Sequence, residues 1–147
     1  MTYDPSSTKL LTFHDKVPAF LDGGDTPRAY LERCLETIEA REPDVKAFVT
    51  MSIDRARQTA DEASERYRKG TTLSPLDGMP IAIKDVFETA DMPMQLGSPL
   101  FKGYETGWDA ASVYFLRRGG AVVIGKTVTT EFAFGEPGPA RNPWDTN

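Results

Sequence analysis

Pro80-Ile81-Ala82-Ile83-Lys84-Asp85-Val86 is an apolar run with two charges near its end. It reads as a buried strand, entered from the turn-rich link Pro75-Leu76-Asp77-Gly78. Ala121-Val122-Val123-Ile124 reads as a second buried strand. Between them, Asp109 stands at the cap position of a short helix over 110–118, with Val113, Tyr114 and Leu116 apolar, and Gly119-Gly120 ends it. Residues 88–108 carry Pro93, Gly97, Pro99, Gly103 and Gly107 with little periodicity, and read mostly as loop. Apolar strands alternating with amphipathic helices predict an α/β chain.

Upstream the pattern is helical. Thr26-Pro27 is a helix start, with Thr at the N-cap and Pro at the first helical position. Tyr30, Leu31, Cys34, Leu35 and Ile38 follow on one face, and Pro43 is expected to stop the helix. Ala47-Phe48-Val49-Thr50 reads as a short strand. Ser52 is placed to cap a second helix, in which Ile53, Ala56, Ala60, Ala63 and Tyr67 form a small-residue face and Gly70 closes the end. Thr127 to Phe134 is expected to hold a helical turn, and residues 135–147 have no regular pattern. These last residues build no element that would finish a domain, so the chain reads as incomplete at its C-terminus. Within it, residues 1–25 are expected to dock loosely, 26–75 to be helical, and 76–147 to form a lysine-bearing α/β segment.

Composition narrows the function. Lys+Arg 17 against Asp+Glu 22 gives a formal charge of −5, with a pI of about 4.9. That opposes a nucleic-acid binder and a polybasic membrane-surface protein. No apolar run reaches the ~18 residues that suggest a membrane-spanning helix, and Met1-Thr2-Tyr3-Asp4-Pro5 lacks the features of a secretory signal. A single Cys34 excludes an internal disulfide or a cysteine zinc cluster, and its place on the apolar stripe makes it a small core residue. A cytoplasmic setting is expected. A histidine-based triad would have to use His14, and Phe13-His14-Asp15-Lys16 suggests only a surface residue. No metal or organic cofactor is expected.

Two motifs invite chemistry. Gly120-Ala121-Val122-Val123-Ile124-Gly125-Lys126-Thr127 fits G-x-x-x-x-G-K-[ST]. In a P-loop the four middle residues form a phosphate-cradling loop after a strand. Here they are themselves the strand, and a helix end precedes them. The motif reads as a strand followed by a Gly-Lys-Thr turn with Thr127 as a cap, and nucleotide binding is not expected.

Lys84 is the other candidate. A lysine in water keeps its proton to a pKa of ~10.4, and bringing that to roughly 7 costs on the order of 4 kcal/mol. Burial supplies such an effect, and Ile81-Ala82-Ile83 gives the stem a dry start. Neighbours on a strand point to opposite faces, so Asp85 need not meet Lys84. Two readings stand on pattern alone. Lys84 is a desolvated base, or it is a strand-end lysine reaching solvent while Asp85 caps a turn.

Leu76-Asp77-Gly78-Met79-Pro80-Ile81-Ala82-Ile83-Lys84-Asp85 resembles the L-x-G-x-P-[IV]-[AS]-[IV]-K-D segment of the amidase signature family. Gly97-Ser98, Asp109-Ala110 with Leu116-Arg117, Gly120 to Thr127, Thr130-Glu131-Phe132-Ala133 and Asn142-Pro143-Trp144-Asp145 follow in that family's order. The likeness is strong over residues 76–147 and looser over 27–75. It implies the N-terminal part of a single amidase domain with an α/β/α fold, a mixed sheet flanked by helices. It also implies cleavage of a carboxamide C–N bond by Ser–cis-Ser–Lys acyl transfer.

Lys84 alone maps onto that triad, as the base. The family's Gly/Ser-rich tract with both serines normally follows N-P-W-D, and the sequence reaches only Asn147. Ser98 and Ser112 lie outside those motifs, and Gly135 to Arg141 is shorter than the usual linker. The resemblance thus implies a small-molecule amide substrate and inactivity of residues 1–147 alone. Its partner is the remainder of the amidase chain or a second copy, rather than nucleic acid or membrane. The competing expectation is a truncated, non-catalytic domain that docks to a partner. Transfer of ammonia to an acyl-tRNA, hydrolysis of small amides and cleavage of urea-like substrates all stay open.

Overall fold

A computed structural model describes residues 12–146. Helix α1 (Val17–Asp22) follows a 3-10 turn at His14–Lys16. Residues 12–25, expected to dock loosely, place Phe13 and Phe20 in a cluster with Tyr67, packed by Tyr30 and Met79. Residues 1–11 of that segment lie outside the described residues.

Helix α2 (Pro27–Val45) starts as its sequence predicts, with the Thr26 hydroxyl accepting from the Ala29 N–H at 3.1 Å. Pro43 does not stop it. It falls in the last turn, where little helix remains to be disrupted, and the helix closes two residues later as Lys46 turns left-handed (φ 53°). Strand β1 (Phe48–Met51) leads into α3 (Ile53–Lys69). Ser52 makes no side-chain cap there; its backbone carbonyl accepts from the Ala56 N–H instead. The end of α3 is as expected, with Gly70 at φ 67° and the N–H groups of Gly70 and Thr71 returning to Tyr67 and Arg66.

Strand β2 (Pro80–Lys84), helix α4 (Ala111–Arg118) and strand β3 (Val122–Thr127) complete the framework. The sheet order is β1-β3-β2, with β1 antiparallel and β2 parallel to the central β3. The parallel pair needs a crossover, which residues 85–121 supply through α4. Asp109 does not cap α4. Its carboxylate accepts from the Ala90 N–H at 2.8 Å and lies 3.3 Å from the Arg117 guanidinium.

Both faces of β3 are covered. Val122 and Ile124 meet Leu31, Leu35, Ala56 and Ala60 of α2 and α3. Val123 meets Ile83, Met92 and Val113 on the α4 side. The expected Gly-Lys-Thr turn is strand instead. Gly125, Lys126 and Thr127 pair with Ala82, Ile83 and Lys84. Gly125 is required by its neighbour, since a Cβ there would lie 2.4 Å from the Thr50 carbonyl oxygen.

Candidate active site

The parallel strands β2 and β3 end side by side, with Lys84 opposite Thr127. In open α/β sheets, ligands gather outside the carboxyl ends of strands. Lys84 is the last residue of β2 and is exposed, as is Ala82 two residues before it. The dry stem expected from the sequence is therefore absent. The physical reason is coverage: the core formed by α2 and α3 takes its strand residues from β3 and β1, and none from β2. Among the described residues, no ion pair or side-chain hydrogen bond engages the Lys84 amine.

The buried lysine is Lys126, which the sequence placed in a turn. β3 carries one extra residue against β2, because Ile81 pairs with Val123 while Ala82 pairs with Gly125. This bulge resets the alternation of side chains. Lys126 falls opposite Ile83, on the α4 side of the sheet. Its Nζ lies 3.0 Å from an Asp85 carboxylate oxygen and donates to the Pro93 carbonyl at 2.9 Å. Exposure is 0% for Lys126 and 1% for Asp85. Asp85 thus neither meets Lys84 nor caps a local turn at the surface. No sequence periodicity marks this pair; the one available signal was that both apolar runs end in a charge.

Loops crowd against the same end. Asp85, Gln95, Gly97, Ser98, Val128 and Thr129 help line a cleft of about 310 Å³. Gly97 (φ 63°) is needed where a Cβ would meet the Thr129 carbonyl oxygen at 2.7 Å. The Phe132 N–H donates to the Leu96 carbonyl at 2.8 Å. Leu96, Phe132 and Ala133 are all left-handed, and such non-glycine strain concentrates at functional sites. The helical turn expected over Thr127 to Phe134 is only a tight turn at Glu131–Ala133, with non-helical backbone at Phe132. Ser98 is buried, and its hydroxyl accepts from the Leu100 N–H. Ser112 is exposed on α4.

The other recognised motifs prove to be structural ties. Asp77 is fully buried and receives a two-pronged contact from Arg66, at 2.9 and 2.7 Å. That contact raises the Arg66 pKa above its ordinary value. Asp109 and Arg117 form an ionic cluster with Asp91 and Arg55. The P-loop reading fails because Lys126 is buried in an ion pair. Among the described residues, no group of three His, Cys, Asp or Glu side chains could hold a metal, and no helix is long and apolar enough to cross a membrane.

The chain is an α/β protein with Lys84 at the carboxyl end of a parallel strand pair. A family model described as Amidase matches residues 29–147, and the chain belongs to that family, the amidase signature enzymes. It is 38% identical over 129 residues to one subunit of the glutamyl-tRNA(Gln) amidotransferase of Thermobifida fusca, covering 84% of this chain and 25% of that protein.

Among solved structures, one comes from a vestigial protein complex that reveals the origins of an s-triazine catabolic enzyme. It superposes with a TM-score of 0.85 at 31% identity, over 92% of this chain and 31% of its own. The peptide amidase of Stenotrophomonas maltophilia gives 0.76 at 28% identity, over 87% of this chain and 26% of its own. The chain spans about a quarter of the length of the curated relatives it matches.

Proposed function

We propose that this chain provides the lysine limb of an amide-cleaving acyl-transfer site, with Lys84 as the proton acceptor. The observation that supports this best is the exposed Lys84 at the strand's carboxyl end, its amine engaged by none of the described residues, beside an aspartate bonded to another partner. In this reading a serine hydroxyl gives up its proton through a second serine to the Lys84 amine. The serine oxygen then forms a bond to the amide carbonyl carbon. The proton passes on to the departing nitrogen as the C–N bond breaks, and water cleaves the resulting ester.

An amine accepts a proton readily near pH 7 only where the ammonium is disfavoured relative to open water. In this reading, protein packed over the exposed Ala82 and Lys84 keeps water from the amine. Residues 1–147 alone are inactive in this reading. The substrate is a small carboxamide, the acyl group goes to water, and the ammonia is released or passed on.

Ammonia release from primary amides tests the reading, using the isolated chain and the native gene product at its full length. The isolated chain is expected to show no turnover. In the full-length product, Lys84→Ala should lower kcat by roughly 10³-fold or more while leaving the fold intact. Turnover by the isolated chain would sink the proposal, and undiminished activity of the variant would show that another group is the base. A second reading, a docking domain without catalysis, draws on the exposed Phe115, Phe134 and Trp144. A native product of intact mass near 16.3 kDa would favour it.

A further inference from the structure

Asp85 follows Lys84 directly, and every polar group it carries is engaged. Its N–H donates to the Thr127 carbonyl at 3.0 Å, and its carbonyl accepts from the Leu96 N–H at 3.1 Å. Its two carboxylate oxygens accept from the Gln95 N–H at 3.2 and 3.1 Å, and one of them pairs with Lys126. Lys126 in turn holds the Pro93 carbonyl. One buried pair therefore ties the end of β2 to β3 and to the loop over residues 93–96.

Buried charges of this kind give little net stability against well-packed apolar residues of the same volume. A role beyond stability is the better account of their presence. Lys84 shows the complementary arrangement, with a clamped successor and an amine that none of the described residues engages. Its carbonyl accepts from the Phe87 N–H at 3.1 Å.

We infer that Asp85 and Lys126 are positioning residues for Lys84. They hold the backbone at the end of β2 from the α4 side, so that the amine is presented on the opposite face in one place. The inference rests on Lys84 being the base. It assigns a task to a buried lysine that the proton-transfer chemistry itself does not use.

The test measures kcat and KM in the full-length gene product, normalised to active sites titrated to the end point with a fluorophosphonate. Lys126→Met and Asp85→Asn are each expected to lower kcat per titrated site about 100-fold, the scale of a small misplacement of a reacting group. KM should change by less than about threefold, because substrate binding is not the step affected.

Each single variant leaves one buried charge unpaired and can lose folded protein. The double variant Asp85→Asn/Lys126→Met removes both charges, and is expected to fold while keeping the same loss in kcat. Arg66→Met, which breaks the distant buried pair with Asp77, should lower Tm yet leave kcat per titrated site unchanged. If the double variant works at the parental rate per site while Lys84→Ala is inactive, the positioning role is overturned and the base assignment survives. If Lys84→Ala is itself active, the reading beneath the inference has failed.

Discussion

Glu32 sits between two guanidinium groups. Arg57 Nε lies 2.9 Å from one of its oxygens and Arg28 Nε 2.8 Å from the same one. Hydrogen bonding from Arg57, and then from Arg28, holds its carboxyl at about 2, below the ordinary 4.5. A depressed carboxylate contributes stability above its unfolded pKa and loses it as pH falls through the folded value. The window is therefore about pH 4.5 down to about 2. Glu32→Gln should lower the urea midpoint at pH 6 by the equivalent of no more than about 1 kcal/mol, since the pair is solvent-screened. The two proteins should converge near pH 2, and a constant gap across that range would refute the assignment.

Single residues were legible where a local rule governs them. The Thr26 cap is one case. Cys34, expected in the core, is only half-buried and lies outside the core clusters, and burial pushes its thiol up. Lys126 was not legible, because the extra residue in β3 turns it to a face that strict alternation denies it.

At the scale of elements, α3 shows why a small-residue face is informative. Ala56, Ala60 and Ala63 are 0–1% exposed, and Ala56 and Ala60 pack in the core with Leu31 of α2 and Ile124 of β3. No space remains for a longer side chain. Ala60→Leu should cost about 1–3 kcal/mol or more by overpacking, read as a lower Tm. Exposed Glu62 on the same helix provides the contrast: Glu62→Ala should leave Tm nearly unchanged. Equal effects at both positions would contradict the packing described here.

Helix identity followed from periodicity, and every helix and strand expected over residues 26–126 exists. Boundaries were less secure. Pro43 was read by its usual effect, yet it falls in the last turn of α2. β3 runs three residues past its apolar core because partners on both sides continue to pair with it.

The whole molecule presents unfinished surfaces. Phe115 is 67%, Phe134 94% and Leu100 82% exposed. β2 lies at one edge of the sheet with Ala82 and Lys84 uncovered. β1 lies at the other, where the Glu42 carboxylate takes the Phe48 N–H at 2.7 Å and partly blunts the edge. Unpaired edges and large apolar patches promote association. Sedimentation velocity of the isolated chain should show association that grows with concentration in the micromolar range. A monomer with a cooperative melt at every concentration would show a self-sufficient domain.

The family was readable from motifs in order. Most of the site was not, since Lys84 lacks in this chain the covering that its proposed chemistry requires.

The position of β3 has a consequence in time. It follows β1 and β2 in sequence yet lies between them, and among the described residues the two meet only through it. In a polypeptide emerging N-terminus first, β1 and β2 cannot join this sheet until residues 122–127 are available. Until then Leu31, Leu35, Ala56 and Ala60 lack the strand that completes their core, and both outer strands wait as single extended segments. During synthesis, β1 and β2 therefore stay exposed until β3 inserts between them.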